Sequence, residues 1–231
     1  MISLKKHIPN TLTLLNLLAG CIGTVCALRG ALDVTFWMLL ASLVFDFLDG
    51  FTARLLKAYS PLGKELDSLA DMVSFGVVPS AVCYTLGVGW FGFVIALFSA
   101  LRLAKFNIDT RQSEQFIGMP TPANALFFVS AGFIVYHRLS AWMTHVLLYE
   151  WVLGALIVLF SLLLVSEIPM FALKFKDYSL KKNRFVYGFL LASLAAIVLL
   201  GVPALPFIVL AYALYSVARH IPNVHSLKDL F

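Results

Sequence analysis

The sequence predicts an all-α fold, a polytopic membrane bundle of about eight transmembrane helices, and three observations predict it. The 231 residues are 61% hydrophobic and only 13% charged, with a mean hydropathy of +0.93. A soluble domain carries about 25% charged residues, so this chain is built for lipid. A hydrocarbon core of about 30 Å takes about 20 helical residues. Apolar runs of that length lie near residues 11–29, 33–56, 62–86, 89–107, 121–138, 149–172, 185–201 and 203–220. Finally, the basic residues gather on alternate connections, as they do in a chain that threads a membrane repeatedly.

Each element has its own reason. Pro9 and Asn10 read as the start of the first helix, and Asn10, Thr13 and Asn16 carry one polar face into the apolar run. That run is long and lacks a persuasive small-residue cleavage site, so it is read as a retained span. The second span ends in DFLDGFTAR, where Asp46, Asp49, Gly50 and Ala53 stand at i, i+3, i+4 and i+7 on one helical face. After a short connection at 57–62, Pro61 starts a third span whose Gly63, Asp67, Asp71 and Ser74 are spaced four, four and three apart. Both stripes are small or acidic, and the hairpin brings them together near one end. Ser74, Gly76 and Pro79 follow, the proline marking a kink that can open a cavity. The fourth span closes on LRLAKFN, with Arg102, Lys105 and Asn107; the fifth opens on Thr121 and Asn124 beside Pro120 and Pro122. A charged insert, 174–184, separates the sixth and seventh spans, and Pro203 and Pro206 form a tight turn before the eighth.

The acids need an explanation. An aspartate costs about 2.5–3.5 kcal/mol at the centre of a span, so four of them at ordered spacing mark a functional site. Four converging carboxylates do not all stay ionised unaided, and protons or cations must neutralise them. Oxygen donors alone favour hard divalent ions, Mg²⁺ or Mn²⁺ first and Ca²⁺ as a further candidate. Gly50, Ala53 and Gly63 leave room for a bulky group against the backbone. Such a site suits chemistry at phosphorus, where metals neutralise the charge that develops as a leaving group departs. The alternative from another class is a cation-coupled transporter with the acidic hairpin as its ion site. Transporter sites favour repeated broken helices near the midplane, whereas these acids occur once, beside basic residues.

Asp46, Asp49, Gly50, Ala53, Arg54, Gly63, Asp67 and Asp71 fill one pattern without departure: DxxDGxxAR, eight residues, G, three residues, D, three residues, D. The segment resembles the signature of the CDP-alcohol phosphatidyltransferases. The opening IPNTLTLLN is similar to the PNxxT start common in that family. SLADMVSFGVVPSAVCY, LRLAKFN and FIGMPTPANA extend the likeness, over roughly the first 125 residues, to its integral-membrane (type II) phosphatidylserine synthases. The resemblance implies a CDP-alcohol phosphotransferase-like fold, with two divalent ions held by Asp46, Asp49, Asp67 and Asp71, the last also serving as general base. It implies contacts to the CDP group from Asn10, Thr13, Asp49, Gly50, Ala53, Arg54 and Gly63. CDP-diacylglycerol and L-serine would be the substrates, phosphatidylserine and CMP the products, and a homodimer the assembly. Serine brings a carboxylate that needs a cation, which points to Arg102 first, with Lys105, three residues on, able to face the same cavity. Asn107 and Thr121 complete that tentative acceptor set. Glycerol 3-phosphate or an inositol phosphate are alternative acceptors, and either would call for a further cationic pocket.

Orientation follows from charge. With the N-terminus inside, Lys5, Lys6, Arg54, Lys57, Lys64, Arg102, Lys105, Arg111, Lys174, Lys176, Lys181, Lys182, Arg184, Arg219 and Lys228 fall on the cytoplasmic side, against Arg29 and Arg138 outside. The reading is a multi-pass protein of the inner (plasma) membrane with both termini and the aspartates cytoplasmic. The net charge of +5 is dispersed over loops, which fits anionic lipid and excludes a nucleic-acid face. Cys21, Cys26 and Cys83 lie in apolar runs and read as buried small residues without a disulfide. His7 and His220 read as interfacial and His137 and His145 as outer, which leaves no histidine centre; neither a P-loop nor a Ser-His-Asp set is present. One membrane domain, 1–231, is expected, with a catalytic part at about 8–125 and a helical scaffold at about 126–231.

Overall fold

The structure, a computed structural model, describes residues 2–109, 116–170 and 184–225. Arg111, Lys174, Lys176, Lys181, Lys182 and Lys228, and with them most of the charged insert, lie outside the described residues. Ten α-helices and one two-residue strand pair make up the described chain, so the helical class holds. Three helices are long and apolar enough to cross a membrane: His7–Leu28, Leu32–Leu55 and Pro61–Ile108. Counting the bent pair Thr121–His137 and Ala141–Leu147, which meet at 118°, gives four. Large apolar side chains such as Trp37, Phe47, Leu97 and Leu199 stand outward, as lipid-facing residues do.

Helix α1 (Ile2–Leu28) begins earlier than expected and carries Pro9 inside it. A proline keeps helical φ and forfeits one N–H, a small loss in the polar opening stretch of this helix. Asn10 is therefore a helical residue on the site face rather than a cap. Gly30, at φ 78°, turns the chain into α2 (Leu32–Leu55), which packs along α1. Helix α3 (Pro61–Asp71) starts where the sequence predicts, with Pro61 in its first turn and Ser60 Oγ accepting the Gly63 N–H at 3.0 Å.

From α3 the chain stays helical to Ile108 through a π-helical stretch (Met72–Val77), α4 (Val78–Cys83), a second π-helical stretch (Tyr84–Val88), a 3₁₀ turn (Gly89–Phe93) and α5 (Val94–Ile108). Pro79 has no N–H for the carbonyl four residues back, and the widened turn just ahead accommodates it while φ and ψ stay helical at Val77 and Val78. The real reversal comes later. A straight helix of 48 residues would be about 72 Å long, more than twice the hydrocarbon core. Gly87 at φ 115° and Gly89 at φ 56° fold the run back, and α5 packs against Met72–Val77.

Helix α6 (Thr121–His137) fills the centre of the bundle, and α7 (Ala141–Leu147) leads to α8 (Glu150–Val165). Phe127 of α6 stacks on Phe160 of α8 with ring centroids 4.3 Å apart, and Phe75, Phe128 and Phe160 are completely buried. The expected span at 149–172 is shorter: α8 stops at Val165, Ser166 is extended, and Pro169 enters strand β2 (Pro169–Met170), antiparallel to β1 (Phe116–Ile117). Gly118, at φ 75°, then passes so close to α8 that a Cβ would sit 2.5 Å from the Leu164 carbonyl oxygen. This clasp fixes the entry to α6. Helices α9 (Arg184–Leu200) and α10 (Ala204–His225) complete the described chain, α10 lying against α6. All three cysteines are free, as expected, but only Cys83 is buried; Cys26 is half-buried and Cys21 stands on the exposed face of α1, away from the bundle.

Gly20 holds α1 against the start of the π-helical stretch. A Cβ there would collide with Ser74 Oγ and approach Ser74 Cα to 2.9 Å, while at Gly188 nothing lies within 4 Å. Gly20→Ala is expected to destabilise the detergent-solubilised protein by about 1–3 kcal/mol, lowering its unfolding temperature. Gly188→Ala should leave that temperature unchanged or raise it.

Candidate active site

Helices α2 and α3 form the hairpin that the two acidic stripes require. One carboxylate oxygen each from Asp46, Asp49 and Asp67 lies within 4.8 Å of the others, Asp49 buried and its partners half-buried. Ligands on opposite sides of Mg²⁺ stand about 4.2 Å apart, so this all-oxygen set fits a hard divalent ion with little contraction. Three carboxylates so placed could coordinate a divalent metal. Asp71, one turn beyond Asp67, sits within hydrogen-bonding reach of Asp46, and all four acids of the signature are thus neighbours.

Helix α1 supplies donors. Thr13 Oγ1 lies 2.5 Å from Asp49 Oδ2 and 3.1 Å from the Pro9 carbonyl; with one proton to give, it serves the charged acceptor better. Asn16 Nδ2 donates to Asp71 Oδ1 at 3.3 Å. The Asn16 carbonyl in turn accepts Ser42 Oγ from α2 at 3.3 Å and Ser74 Oγ at 3.0 Å. One residue of α1 therefore touches both strands of the acidic hairpin. The polar face read along Asn10, Thr13 and Asn16 is the face that meets the acids.

Beside the aspartates opens a cavity of about 530 Å³, within the range of about 300–1,000 Å³ usual for ligand pockets. Asn10, Thr13, Asp49, Gly50, Ala53, Gly63 and Asp67 line it, which brings together nearly all of the residues expected to meet a nucleotide. Asn10 Oδ1 stands 3.2 Å from where a Gly63 Cβ would be, so a side chain there would narrow the cavity. Arg54 is the exception: it is exposed and does not line the cavity. Tyr59, Ser60 and Lys64 do line it, although the sequence reading gave them no ligand role. Their position within four residues of the signature glycine was the available signal.

The expected acceptor residues separate. Arg102 is buried, close enough to Asp71 for the two charges to act on each other, with its guanidinium 5.0 Å from the Phe106 ring centroid and Nε without a partner. Lys105 instead reaches the surface and pairs with Glu167. Asn107 ties α5 to α3, donating from Nδ2 to Ser68 Oγ at 2.8 Å while its carbonyl accepts Lys64 Nζ at 2.9 Å. Thr121 and Asn124 are wholly buried, and Thr121 Oγ1 and both polar side-chain atoms of Asn124 have no partner among the described residues.

Residues 6–163 match the family model described as CDP-alcohol phosphatidyltransferase. The chain belongs to the CDP-alcohol phosphatidyltransferase family. Within it, the chain is 32% identical over 229 residues to the CDP-diacylglycerol--serine O-phosphatidyltransferase of Mycobacterium leprae (strain TN), across 93% of this chain and 73% of that one. It is 32% identical over 222 residues to the enzyme of the same name from Helicobacter pylori (strain ATCC 700392 / 26695), across 91% and 90%. The likeness to that from Methanocaldococcus jannaschii is 32% over 228 residues, across 96% and 98%. The matched relatives thus run through the second half of the chain as well, where the sequence alone offered little.

A hydrogen-bond donor to a metal-binding carboxylate commonly changes metal affinity by about 10- to 100-fold. Thr13→Val keeps the shape of the side chain and removes the donor to Asp49. It is expected to weaken Mn²⁺ binding by that factor in a titration followed by electron paramagnetic resonance.

Proposed function

We propose that this family member transfers the phosphatidyl group of CDP-diacylglycerol to the hydroxyl of L-serine, forming phosphatidylserine and releasing CMP. The observation that carries this reading is the meeting of the four signature aspartates at the edge of a nucleotide-sized cavity, with one buried arginine on their far side. The relatives that bear this activity in their name align over nearly the whole chain.

In the proposed mechanism, Asp46, Asp49, Asp67 and Asp71 hold divalent ions, Mg²⁺ or Mn²⁺, two per site. When bound, such an ion neutralises phosphate oxygens and the charge that builds on the leaving group. Asn10, Thr13, Gly50, Ala53 and Gly63 shape the bed for the CDP group, and the two glycines and the alanine let it approach the backbone. Asp71 takes the proton of the serine hydroxyl as that oxygen bonds to the phosphorus carrying diacylglycerol; the bond from phosphorus to the CMP oxygen breaks, and CMP departs. Asn16 fixes the Asp71 carboxylate in place through its Nδ2. Arg102 receives the serine carboxylate, and its burial favours a two-pronged contact. Thr121, with its free hydroxyl, is a further acceptor contact.

The finer architecture belongs to the same proposal. Splitting Pro61–Ile108 at Gly87 and adding Thr121–His137 and the shorter apolar helices Glu150–Val165, Arg184–Leu200 and Ala204–Arg219 to the two N-terminal helices gives eight spans. An even number puts both termini on one side, and the bias of the basic residues supports the cytoplasmic side of the inner membrane, where a cytidine-linked donor and serine would be met. We take 1–231 as one domain, the residues beyond about 125 as its scaffold, and a homodimer as the working assembly.

CMP release from CDP-diacylglycerol with Mg²⁺ or Mn²⁺, compared among serine, glycerol 3-phosphate, inositol phosphate and no acceptor, tests the proposal. Serine-dependent release with formation of phosphatidylserine is expected; release with another acceptor alone would overturn the assignment of Arg102. Asp71→Asn should cut turnover about 10²- to 10⁴-fold with nucleotide binding retained. Arg102→Gln should raise the KM for serine roughly 10- to 150-fold, the value of about 1.5–3 kcal/mol for a hydrogen bond to a charged group.

A further inference from the structure

The cavity beside the aspartates has an acidic floor in Asp49 and Asp67, and among the described residues that line it Lys64 is the only cation. Arg54, the cation that the signature suggests for a phosphate, is not among the residues that line the cavity, although its Nη2 stands 4.0 Å from a Cβ built on Gly50, which does line it. Lys64 follows Gly63 in the first turn of α3, so its stem rises from the wall that the glycine keeps open. Its ammonium rests on the main-chain carbonyl of Asn107, at the last turn of α5. That carbonyl is a neutral acceptor at an exposed position. A charge-assisted bond to a phosphate oxygen is about twice as strong as a bond between neutral groups, and the flexible four-carbon stem of lysine can make the exchange.

We propose that Lys64 is the donor-phosphate contact of this cavity, leaving the Asn107 carbonyl to bind an anionic phosphate oxygen of the cytidine-linked donor. The inference rests on the phosphatidyl-transfer reading and adds a residue to it. The remaining bond from Asn107 to Ser68 holds α3 and α5 together while Lys64 moves. Lysine at this position thus serves both states of the site: it ties two helices in the empty cavity and neutralises charge in the filled one.

Calorimetric titration of the full-length protein in detergent with Mg²⁺ separates this role from a purely structural one. CDP, CMP and cytidine would be compared on the unsubstituted protein, Lys64→Gln, Lys64→Arg and Arg54→Gln. Lys64→Gln is expected to weaken CDP about 10- to 100-fold, to leave cytidine within about twofold, and to be rescued largely by Lys64→Arg. A loss of CDP affinity in Arg54→Gln without one in Lys64→Gln would overturn the inference. Unchanged CDP affinity in Lys64→Gln, or an equal loss for CDP and cytidine, would overturn the inference while leaving the reaction class standing. An unsubstituted protein that binds none of the three would overturn the nucleotide reading itself, and the inference with it.

Discussion

Four carboxylates collected inside an apolar bundle are the constraint on which the rest of this structure depends. At 4.8 Å and an effective dielectric constant of about 20, each pair of unit charges repels by about 3–4 kcal/mol. Nothing in the packing of apolar side chains repays that. The site needs compensation, and the protein supplies part of it through the Arg102 charge and the hydrogen bonds that Thr13 and Asn16 donate. The remainder is negative charge that a divalent ion could neutralise.

The geometry of α1 follows from the same constraint. Asn16 donates to Asp71 with its side chain and, with its carbonyl, accepts hydroxyls from both α2 and the π-helical stretch. An unpaired hydroxyl in this interior has no water to turn to, so Ser42 and Ser74 clamp their helices to α1 at the level of the acids. Gly20 lets Ser74 come that close, and the widened turn from Met72 to Val77 places Ser74 on the α1 side one helical turn below Asp71. Helix α1 is the rigid edge against which the two acidic stripes are aligned.

The acidic hairpin was legible in the sequence because its information is local and periodic. Spacings of three and four residues put Asp46 and Asp49, and Asp67 and Asp71, on single faces, and Pro61 marked the start of the second acidic helix, which the structure caps with Ser60. The features that stayed hidden depend on partners far along the chain. Lys105 leaves the face of Arg102 because Glu167, beyond the end of α8, offers it a carboxylate at the surface. Helix α8 ends early because residues 116–119 pair with its last carbonyls and the strand that follows, an arrangement that two residues of strand propensity cannot announce. Pro79 looked like a kink, yet the chain absorbed it in a π-helical turn and reversed instead at Gly87, where positive φ has no periodic signature. Lys64 was passed over for the more conspicuous Arg54 because composition and spacing say which residues share a face, not which of two neighbouring cations meets a cavity.

The two sides of the site differ in how completely they are satisfied, and the difference bears on what each is for. On the α1 side Thr13 donates to Asp49, Asn16 donates to Asp71, and two serines close on the Asn16 carbonyl. On the α5 and α6 side Arg102 Nε, Thr121 Oγ1 and the amide of Asn124 are buried with no partner among the described residues. A buried polar group left unpaired costs about 1–3 kcal/mol, more when it is charged. A fold that tolerates three such residues together with an intact apolar core around Phe127 and Phe160 gains most from a small polar molecule that completes them. An amino acid with a carboxylate, an ammonium and a hydroxyl matches that unfilled set better than a purely apolar group could. The α1 side of the cluster is thus organised by the protein's own hydrogen bonds, whereas the α5 and α6 side keeps buried polar groups that a polar molecule could complete.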